Sequence, residues 1–301
     1  MTPGINRIKT WILIAAMGGA FVLLGGWIGG ISRIGTSTGL MLGLAFALLF
    51  NLGAYWFSGS IAVKSTRSHP VTEQEQPELY KIVRELSAAD GMPMPEVYVS
   101  DMQQPNAFAT GRNPQNAKVA VTKGILAILD ERELRAVLAH EMSHVKNRDI
   151  LIGSIAATMG AAIVFLARIA LFFGNDRNNG GLVAIMAWIL APISAAVIQM
   201  AVSRTREYQA DESGAFLSKD PDALVSALRK LEVATKQVPP PRELSPAEAH
   251  LFVMNPLAGM RGRGFSGMFS THPPTEQRIA RLEQISLQLR GGTPFGRGTP
   301  S

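Results

Sequence analysis

Two long stretches without any charged residue constrain this chain more than its other features. They cover residues 11–31 and 39–63. A helix needs roughly 20 apolar residues to cross the ~30 Å hydrocarbon core of a bilayer, and both stretches are long enough. We therefore predict two transmembrane helices. The first stretch is long and glycine-rich, lacks a clear cleavage site and is followed closely by the second, which favours a retained anchor over a signal peptide.

Two further apolar segments lie in the second half of the chain, at residues 150–173 and 180–203. Arg168 interrupts the first, near enough to its end for the side chain to reach the interface, and Pro192 and Gln199 lie in the second. A buried helical hairpin inside a soluble domain would have a similar composition. The lengths favour two more spans, so the expected fold is an α-helical integral membrane protein with four spans.

Basic residues at the ends of the apolar segments predict the orientation, because cytoplasmic loops of membrane proteins carry an excess of Lys and Arg. The residues on one side are Arg7, Lys9, Lys64, Arg67, Lys146, Arg148, Arg204 and Arg206, and the two short turns on the other side carry Arg33 and Arg177. We expect residues 1–10, the polar segments 64–149 and 204–290, and both termini to be cytoplasmic. The formal net charge of +6 is explained by basic residues beside anionic lipid, so we predict a lipid bilayer and no nucleic acid as partner.

His140, Glu141 and His144 form a His-Glu-x-x-His motif. On a helix, residues four apart lie one turn above each other, so the two imidazoles can bind one zinc ion and Glu141 can reach a water beside it. Asp130 and Glu133 predict a capping box that starts the helix, and the apolar spacing after them puts Glu141 on the inward face. An unpaired carboxylate is costly to bury, which favours a catalytic site over a solvated helix with incidental histidines.

The chain contains no cysteine, so histidine or carboxylate must complete a zinc site. Glu207, in the second polar segment, is the candidate third ligand. An even number of crossings between residues 149 and 204 leaves both polar segments on the same side of the membrane, so they can share one site. Asp211 follows one helical turn later, where it can orient a zinc-bound histidine. Glu212 points elsewhere on the helix. The alternative is that all three acids are solvated.

The polar segments predict an α+β domain with a small sheet beside the motif helix. Apolar and polar residues alternate at 96–100 and at 118–122, and a short, mixed strand-like piece lies between them at residues 106–110. Helices are expected over residues 76–89, from 204 onward, over 221–235 after an N-cap at Asp220, and over 275–289. Residues 291–301 are rich in Gly and Pro, and we expect a disordered tail.

The chain resembles the HtpX-type membrane metalloproteases, stress-linked bacterial inner-membrane enzymes related to the CAAX prenyl endopeptidases. The resemblance covers nearly the whole chain in the family's order: two N-terminal spans, residues 106–111, the motif at 140–144, two further spans, residues 206–211 and residues 271–274. It implies a cytoplasmic zincin-like protease domain of the gluzincin class, a multi-pass inner-membrane location and one catalytic zinc ion. It also implies zinc ligation by His140, His144 and Glu207 with Glu141 as general base, roles that the residues indicate independently.

The same resemblance implies roles that spacing alone does not assign. The segment 106–111 looks like an edge strand that lines the substrate cleft, and its residues are Asn106, Ala107, Phe108, Ala109, Thr110 and Gly111. Either His272 or Arg206 is expected to donate to the developing oxyanion. The implied function is a zinc-dependent endopeptidase that hydrolyses unfolded, damaged or misassembled proteins, membrane proteins above all, in quality control and the stress response.

Three other functions fit parts of the sequence. An intramembrane zinc protease is disfavoured by the charged residues on both sides of the motif, which would be prohibitive to bury in lipid. A CAAX-type prenyl endopeptidase uses the same chemistry, but four spans and the bacterial character of the chain favour the quality-control type. A non-enzymatic membrane protein is the third alternative; a transporter should carry acids or histidines at span centres, and a structural zinc site needs no Glu141 beside it.

Overall fold

The structure is a computed structural model, and it describes residues 3–31, 34–147, 149–151, 204–238 and 273–291. The spans predicted at 11–31 and 39–63 fall within these ranges. The spans predicted at 150–173 and 180–203 and the tail predicted to be disordered lie almost entirely outside them. Helices and strands are numbered along the described residues.

Two long apolar helices form an N-terminal hairpin, α1 (Pro3–Ile31) and α2 (Thr36–Ser65). Their backbones touch, because a Cβ on Gly39 would lie only 2.2 Å from the carbonyl oxygen of Gly25. Many large apolar side chains of α2 are exposed, among them Met41 and Leu49. Within the described ranges, Thr36–Phe57 is the one helix that is long and apolar enough to cross a membrane. Both predicted segments are helical, and their crossing of a membrane stays a prediction.

A four-stranded sheet follows the hairpin. Its strands are β1 (Ser68–Pro70), β2 (Glu96–Ser100), β3 (Ala107–Thr110) and β4 (Lys118–Thr122), in the order β1-β2-β4-β3. β2 and β4 are parallel, and the other two pairs are antiparallel. All three predicted strands are present, and β3, the short and mixed one, lies at a sheet edge. β1 was not predicted, because three residues ending in a proline show no alternation.

The two faces of the sheet have different partners. Val97, Val99 and Val119 belong to the main core, which also contains residues of helices α3 (Pro77–Asp90) and α4 (Lys123–Ile128). The alternate residues Tyr98 and Phe108 pack instead against the end of α2. The sheet therefore lies between the apolar hairpin and the main hydrophobic core.

The helix with the His-Glu-x-x-His motif is α5 (Glu131–Lys146), and it begins with the predicted capping box. The backbone N–H of Glu133 donates to the Asp130 side chain at 2.8 Å, and the N–H of Asp130 donates to the Glu133 side chain at 3.0 Å. The apolar stripe of α5 is buried against α3 and the sheet. Helix α3 ends as predicted, with Gly91 in the left-handed conformation at φ 64°.

Three helices complete the described fold: α6 (Arg204–Ser218), α7 (Pro221–Gln237) and α8 (Thr275–Gly291). Asp220 caps α7 as predicted, and both α7 and α8 extend slightly beyond their predicted ends. Gly214 lets α6 cross close to α5, because a Cβ at this position would lie 2.8 Å from the Cα and N atoms of His140. This close crossing brings the acidic side chains of α6 to the histidines of α5.

Candidate metal centre

Two helices bring three possible metal ligands together. His140 and His144 lie one turn apart on α5, with ring centroids 5.0 Å apart. Glu207 of α6 lies between them: its Oε2 is 3.6 Å from His140 Nε2, and its Oε1 is 3.6 Å from His144 Nε2. The three ligand atoms lie within 4.8 Å of one another. Ligands of tetrahedral zinc stand about 3.3 Å apart at bond lengths near 2 Å, so these residues fit one ion with little rearrangement.

Carboxylates contact the second nitrogen of each imidazole. His140 Nδ1 lies 3.0 Å from Asp211 Oδ1, and His144 Nδ1 lies 3.2 Å from Asp149 Oδ2. A carboxylate at Nδ1 favours a proton there and leaves Nε2 free as a metal ligand, which is the usual arrangement in histidine metal sites. Asp211 thus lies beside a histidine of the motif, and its role in orienting that ring stays a prediction. Asp149 was not predicted as part of the site, because it lies among charged residues just before an apolar segment, and that pattern carries no metal-site signal.

Asp211 is itself held by Arg278 of α8. Arg278 Nε donates to Asp211 Oδ2 at 2.9 Å, and Arg278 Nη2 donates to Asp211 Oδ1 at 2.6 Å. Both side chains are 1% exposed. Arg278 was not predicted as part of the site, because nothing in its local sequence pattern distinguishes it from the exposed arginines of the same helix.

The pKa values of the metal-free chain indicate a site that stabilises positive charge. Burial alone would lower the pKa of His140, but the carboxylates of Asp211 and Glu207 outweigh burial and raise this pKa to about 9. Burial would likewise lower the pKa of His144, but neighbouring carboxylates raise it. Burial would raise the pKa of Asp211, yet the Arg278 guanidinium and His140 hold it well below its usual range. A cation at the imidazoles is therefore stabilised by the surrounding charge.

Glu141 is buried on the inward face of α5, as its position in the apolar stripe predicted, and is 7% exposed. Its Oε2 accepts a hydrogen bond from the backbone N–H of Ala109, at 3.3 Å. Ala109 lies in the edge strand β3, opposite Val119 of β4. Asn106 is hydrogen-bonded to β4, because the N–H of Thr122 donates to its carbonyl. Successive residues of an antiparallel strand alternate between bonding the partner strand and facing away from it. Ala109, three residues later, therefore directs its N–H away from β4. The edge strand and the motif helix therefore meet at the Glu141 carboxylate.

The remaining site predictions have different outcomes. Arg206 is buried, and burial lowers its pKa, while the carboxylates of Asp149 and Glu207 oppose this shift. Its guanidinium therefore interacts electrostatically with both carboxylates. Its role towards an oxyanion stays a prediction. His272 lies outside the described residues. Glu212 is half-buried and does not belong to the ligand group found among the described residues.

The segment 106–111 is the edge strand with its flanks, as expected. Asn106, Phe108, Thr110 and Gly111 are buried, and Ala107 is fully covered, so Ala109 is the part-exposed residue of β3. Gly111 has φ 135°, and a Cβ there would lie 2.4 Å from the carbonyl oxygen of Asn116. Glycine is therefore required where the chain leaves the edge strand.

Comparisons with known proteins agree with this geometry. The model of the peptidase family M48 matches residues 73–286, which include both halves of the candidate site. The curated protein "Protease HtpX homolog" of Syntrophobacter fumaroxidans is 48% identical over 290 residues, covering 93% of this chain and 99% of that protein. The protein of the same name from Persephonella marina is 48% identical over 294 residues, covering 95% of this chain and 99% of that protein.

A solved structure is similar at a lower level. The crystal structure of S. mikatae Ste24p aligns with a TM-score of 0.49 and 20% sequence identity, covering 92% of this chain and 65% of that chain. Such a likeness is too weak to establish a shared fold. The family match and the full-length relatives carry the comparison.

Proposed function

Since the chain belongs to peptidase family M48 and is a metalloprotease, we propose that it hydrolyses peptide bonds with one catalytic zinc ion held by His140, His144 and Glu207. The observation that carries this proposal is the convergence of the three ligand atoms, from two helices, to within 4.8 Å of one another. Two histidines and one carboxylate are a ligand set of catalytic zinc that leaves a position open for water. Family membership also excludes the non-enzymatic alternatives.

Zinc at this site would supply Lewis acidity, which makes a water molecule more acidic and polarises a peptide carbonyl. Glu141 then acts as general base: its carboxylate takes the proton of the attacking water and passes it to the leaving amine. The N–H of Ala109 holds one carboxylate oxygen of Glu141, at 3.3 Å, and leaves the other to reach the water. Asp211 and Asp149 orient the two imidazoles.

We propose that the substrate binds as an extended segment beside β3, because an edge strand can accept a further strand through backbone hydrogen bonds. Ala109 is the position of β3 that presents surface to solvent. A peptide that pairs along the whole strand must displace the groups that cover Ala107. Binding of this kind favours polypeptides that are already unfolded, since a folded segment does not offer its backbone.

We propose that the hairpin provides the first two of four spans in the bacterial inner membrane, with the metal centre on the cytoplasmic side. The exposed apolar surface of α2 supports this placement. The end of α2 also contacts the edge-strand region: the Arg112 guanidinium lies 4.2 Å from the centroid of the Trp56 ring, and a Cβ on Gly59 would lie 3.1 Å from the Cα of Gly111. A cleft at this place suits damaged or misassembled membrane proteins whose polar segments leave the bilayer nearby, and hence quality control.

The test of the catalytic assignment compares purified protein in detergent with its Glu141→Gln variant, using unfolded casein as substrate. Zinc-loaded wild type should cleave casein, and the variant should keep zinc and lose cleavage by several orders of magnitude, because the amide cannot accept the water proton. Casein cleavage by Glu141→Gln at the wild-type rate would refute the assignment.

The test of the ligand set is zinc content after dialysis. Glu207→Ala should lose stoichiometric zinc, because two histidines alone are left to hold it. Glu212→Ala on the same helix is the matched control, and it should keep both zinc and activity. Stoichiometric zinc in Glu207→Ala would remove Glu207 from the ligand set.

A further inference from the structure

Arg278 is the largest fully buried side chain in the described part of the molecule, and it lies behind the metal centre. It belongs to α8, whereas the candidate ligands belong to α5 and α6. A buried arginine is costly unless its charge and hydrogen bonds are matched. Here the carboxylate of Asp211 balances the charge and accepts hydrogen bonds from Nε and Nη2, so Arg278 and Asp211 form a buried ion pair with two hydrogen bonds. Nη1 of Arg278 is buried and has no hydrogen-bond partner among the described residues.

The geometry links Arg278 to a ligand through a single residue. Asp211 Oδ1 lies 2.6 Å from Arg278 Nη2 and 3.0 Å from His140 Nδ1, while Asp211 Oδ2 accepts from Arg278 Nε at 2.9 Å. The planar guanidinium thus determines the rotation of the carboxylate, and the carboxylate in turn faces His140. A lysine has no planar fork and cannot hold both oxygens in this way.

Charge balance gives Arg278 a second effect. Glu207 and Glu141 also act on Arg278 electrostatically, so it is a buried cation among three carboxylates. Without it, Asp211 would face His140 as a buried anion with no fixed partner on its other side. Such a carboxylate can turn away, or can recruit water, and either change leaves the His140 ring less well oriented.

We propose that Arg278 is a positioning residue of the metal centre, which acts through Asp211 on His140 and makes metal affinity depend on the docking of α8. The inference rests on the proposed ligand set of His140, His144 and Glu207. It goes beyond the ligands themselves, because it makes the last described helix a structural part of the metal site. Metal binding and α8 docking then stabilise each other, as reciprocal coupling requires.

A purely structural role is the competing explanation, since α8 also contacts α6 elsewhere. The Tyr208 hydroxyl donates to Gln277 at 2.9 Å, and the Arg281 guanidinium lies 4.0 Å from the centroid of the Tyr208 ring. Arg281 is therefore a matched control: it is an arginine of the same helix, it contacts the same partner helix, and it does not touch Asp211. A structural role predicts lower stability in an Arg278 variant with unchanged metal affinity.

The experiment measures the zinc dissociation constant of the full chain in detergent by competition with a chelator, together with the Tm of the metal-free protein. Arg278→Met should weaken zinc binding by roughly 10- to 100-fold, the usual effect of removing a group that supports a ligand. Arg281→Met should bind zinc within about twofold of wild type, and Arg278→Lys should fall between the two. In an Asp211→Asn background, Arg278→Met should weaken zinc binding no further, because the two residues act in series.

Three results would overturn the proposal. Wild-type zinc affinity in folded Arg278→Met leaves only a structural role. If Arg278→Met weakens zinc binding equally in the wild-type background and in the Asp211→Asn background, Arg278 does not act through Asp211. If Arg278→Met does not fold, Arg278→Lys decides, and unchanged zinc affinity there also refutes the inference. Failure of the wild type to bind zinc would instead refute the proposed ligand set.

Discussion

Gly214→Ala is a one-carbon change that should loosen the proposed metal centre without altering a proposed ligand. Gly214 lies on α6 where that helix crosses α5, and the added Cβ would lie 2.8 Å from the Cα and N of His140 and 3.2 Å from the carbonyl carbon of Ala139. All of these atoms belong to the backbone, so no side chain can rotate away to make room.

The required movement can be worked out from the contact distances. Non-bonded carbon atoms pack at about 3.4 Å or more, so α6 must withdraw from α5 by roughly 0.6 Å at this crossing. Overpacking of this kind costs about 1–3 kcal/mol, and the higher helix propensity of alanine returns about 1 kcal/mol. The free energy of unfolding should therefore fall by about 0–2 kcal/mol. The contacts of Glu207 and Asp211 with His140, at 3.6 and 3.0 Å, both span the gap that opens, so zinc affinity should fall by about 10-fold.

The assay is the zinc dissociation constant of the full chain in detergent, with Tm measured on the same samples. Gly53→Ala is the control, because a Cβ at Gly53 of α2 would meet no described atom within 4 Å. It should leave the zinc dissociation constant at its wild-type value and should not lower the Tm, because alanine favours the helix more than glycine does. If Gly214→Ala binds zinc within threefold of wild type while its Tm is unchanged, the close crossing of α5 and α6 does not set the geometry of the site, and the reasoning is wrong.

Three further predictions follow from other contacts. Ala109→Pro removes the N–H that donates to Glu141. A hydrogen bond to a charged group contributes about 1.5–3 kcal/mol, and this one is long, so kcat for a peptide substrate should fall by about 10-fold. Ala109→Gly keeps the N–H and should keep most of the activity. Burial would raise the pKa of Glu133, but hydrogen bonds led by that of Lys230 lower it below the ordinary value of a glutamate. Ionised Glu133 therefore stabilises the native state at neutral pH, and this stability is lost as the pH falls through the lowered pKa. The Tm difference between wild type and Glu133→Gln should be largest near pH 7 and vanish in acid, whereas Glu131→Gln, at an exposed position, should show almost no difference at any pH. Removing zinc with a chelator should lower the Tm, because zinc present at about 100 times its dissociation constant stabilises the native state by about 2.7 kcal/mol; an unchanged Tm would contradict binding to the folded site.

Much of the local structure could be predicted from the sequence, because it depends on contacts between residues close together in the chain. The capping box of Asp130 and Glu133, the turn at Gly91 and the inward position of Glu141 each follow from a short pattern, and each was confirmed. Spacing along one helix likewise placed Glu207 and Asp211 on one face.

Only the tertiary structure decided how the site is held together. Asp149 contacts His144 from beyond the end of α5, and Arg278 of α8 contacts Asp211 of α6. Neither position is marked by a periodic pattern in the sequence. From the sequence alone, Gly214 is only a residue of low helix propensity. The crossing of α6 with α5 shows why no side chain fits there. The sequence by itself therefore determined which groups can bind a metal, since that depends on residue type and helical spacing. The tertiary structure alone determined their distances and charge balance, because these arise where α5, α6 and α8 pack against one another.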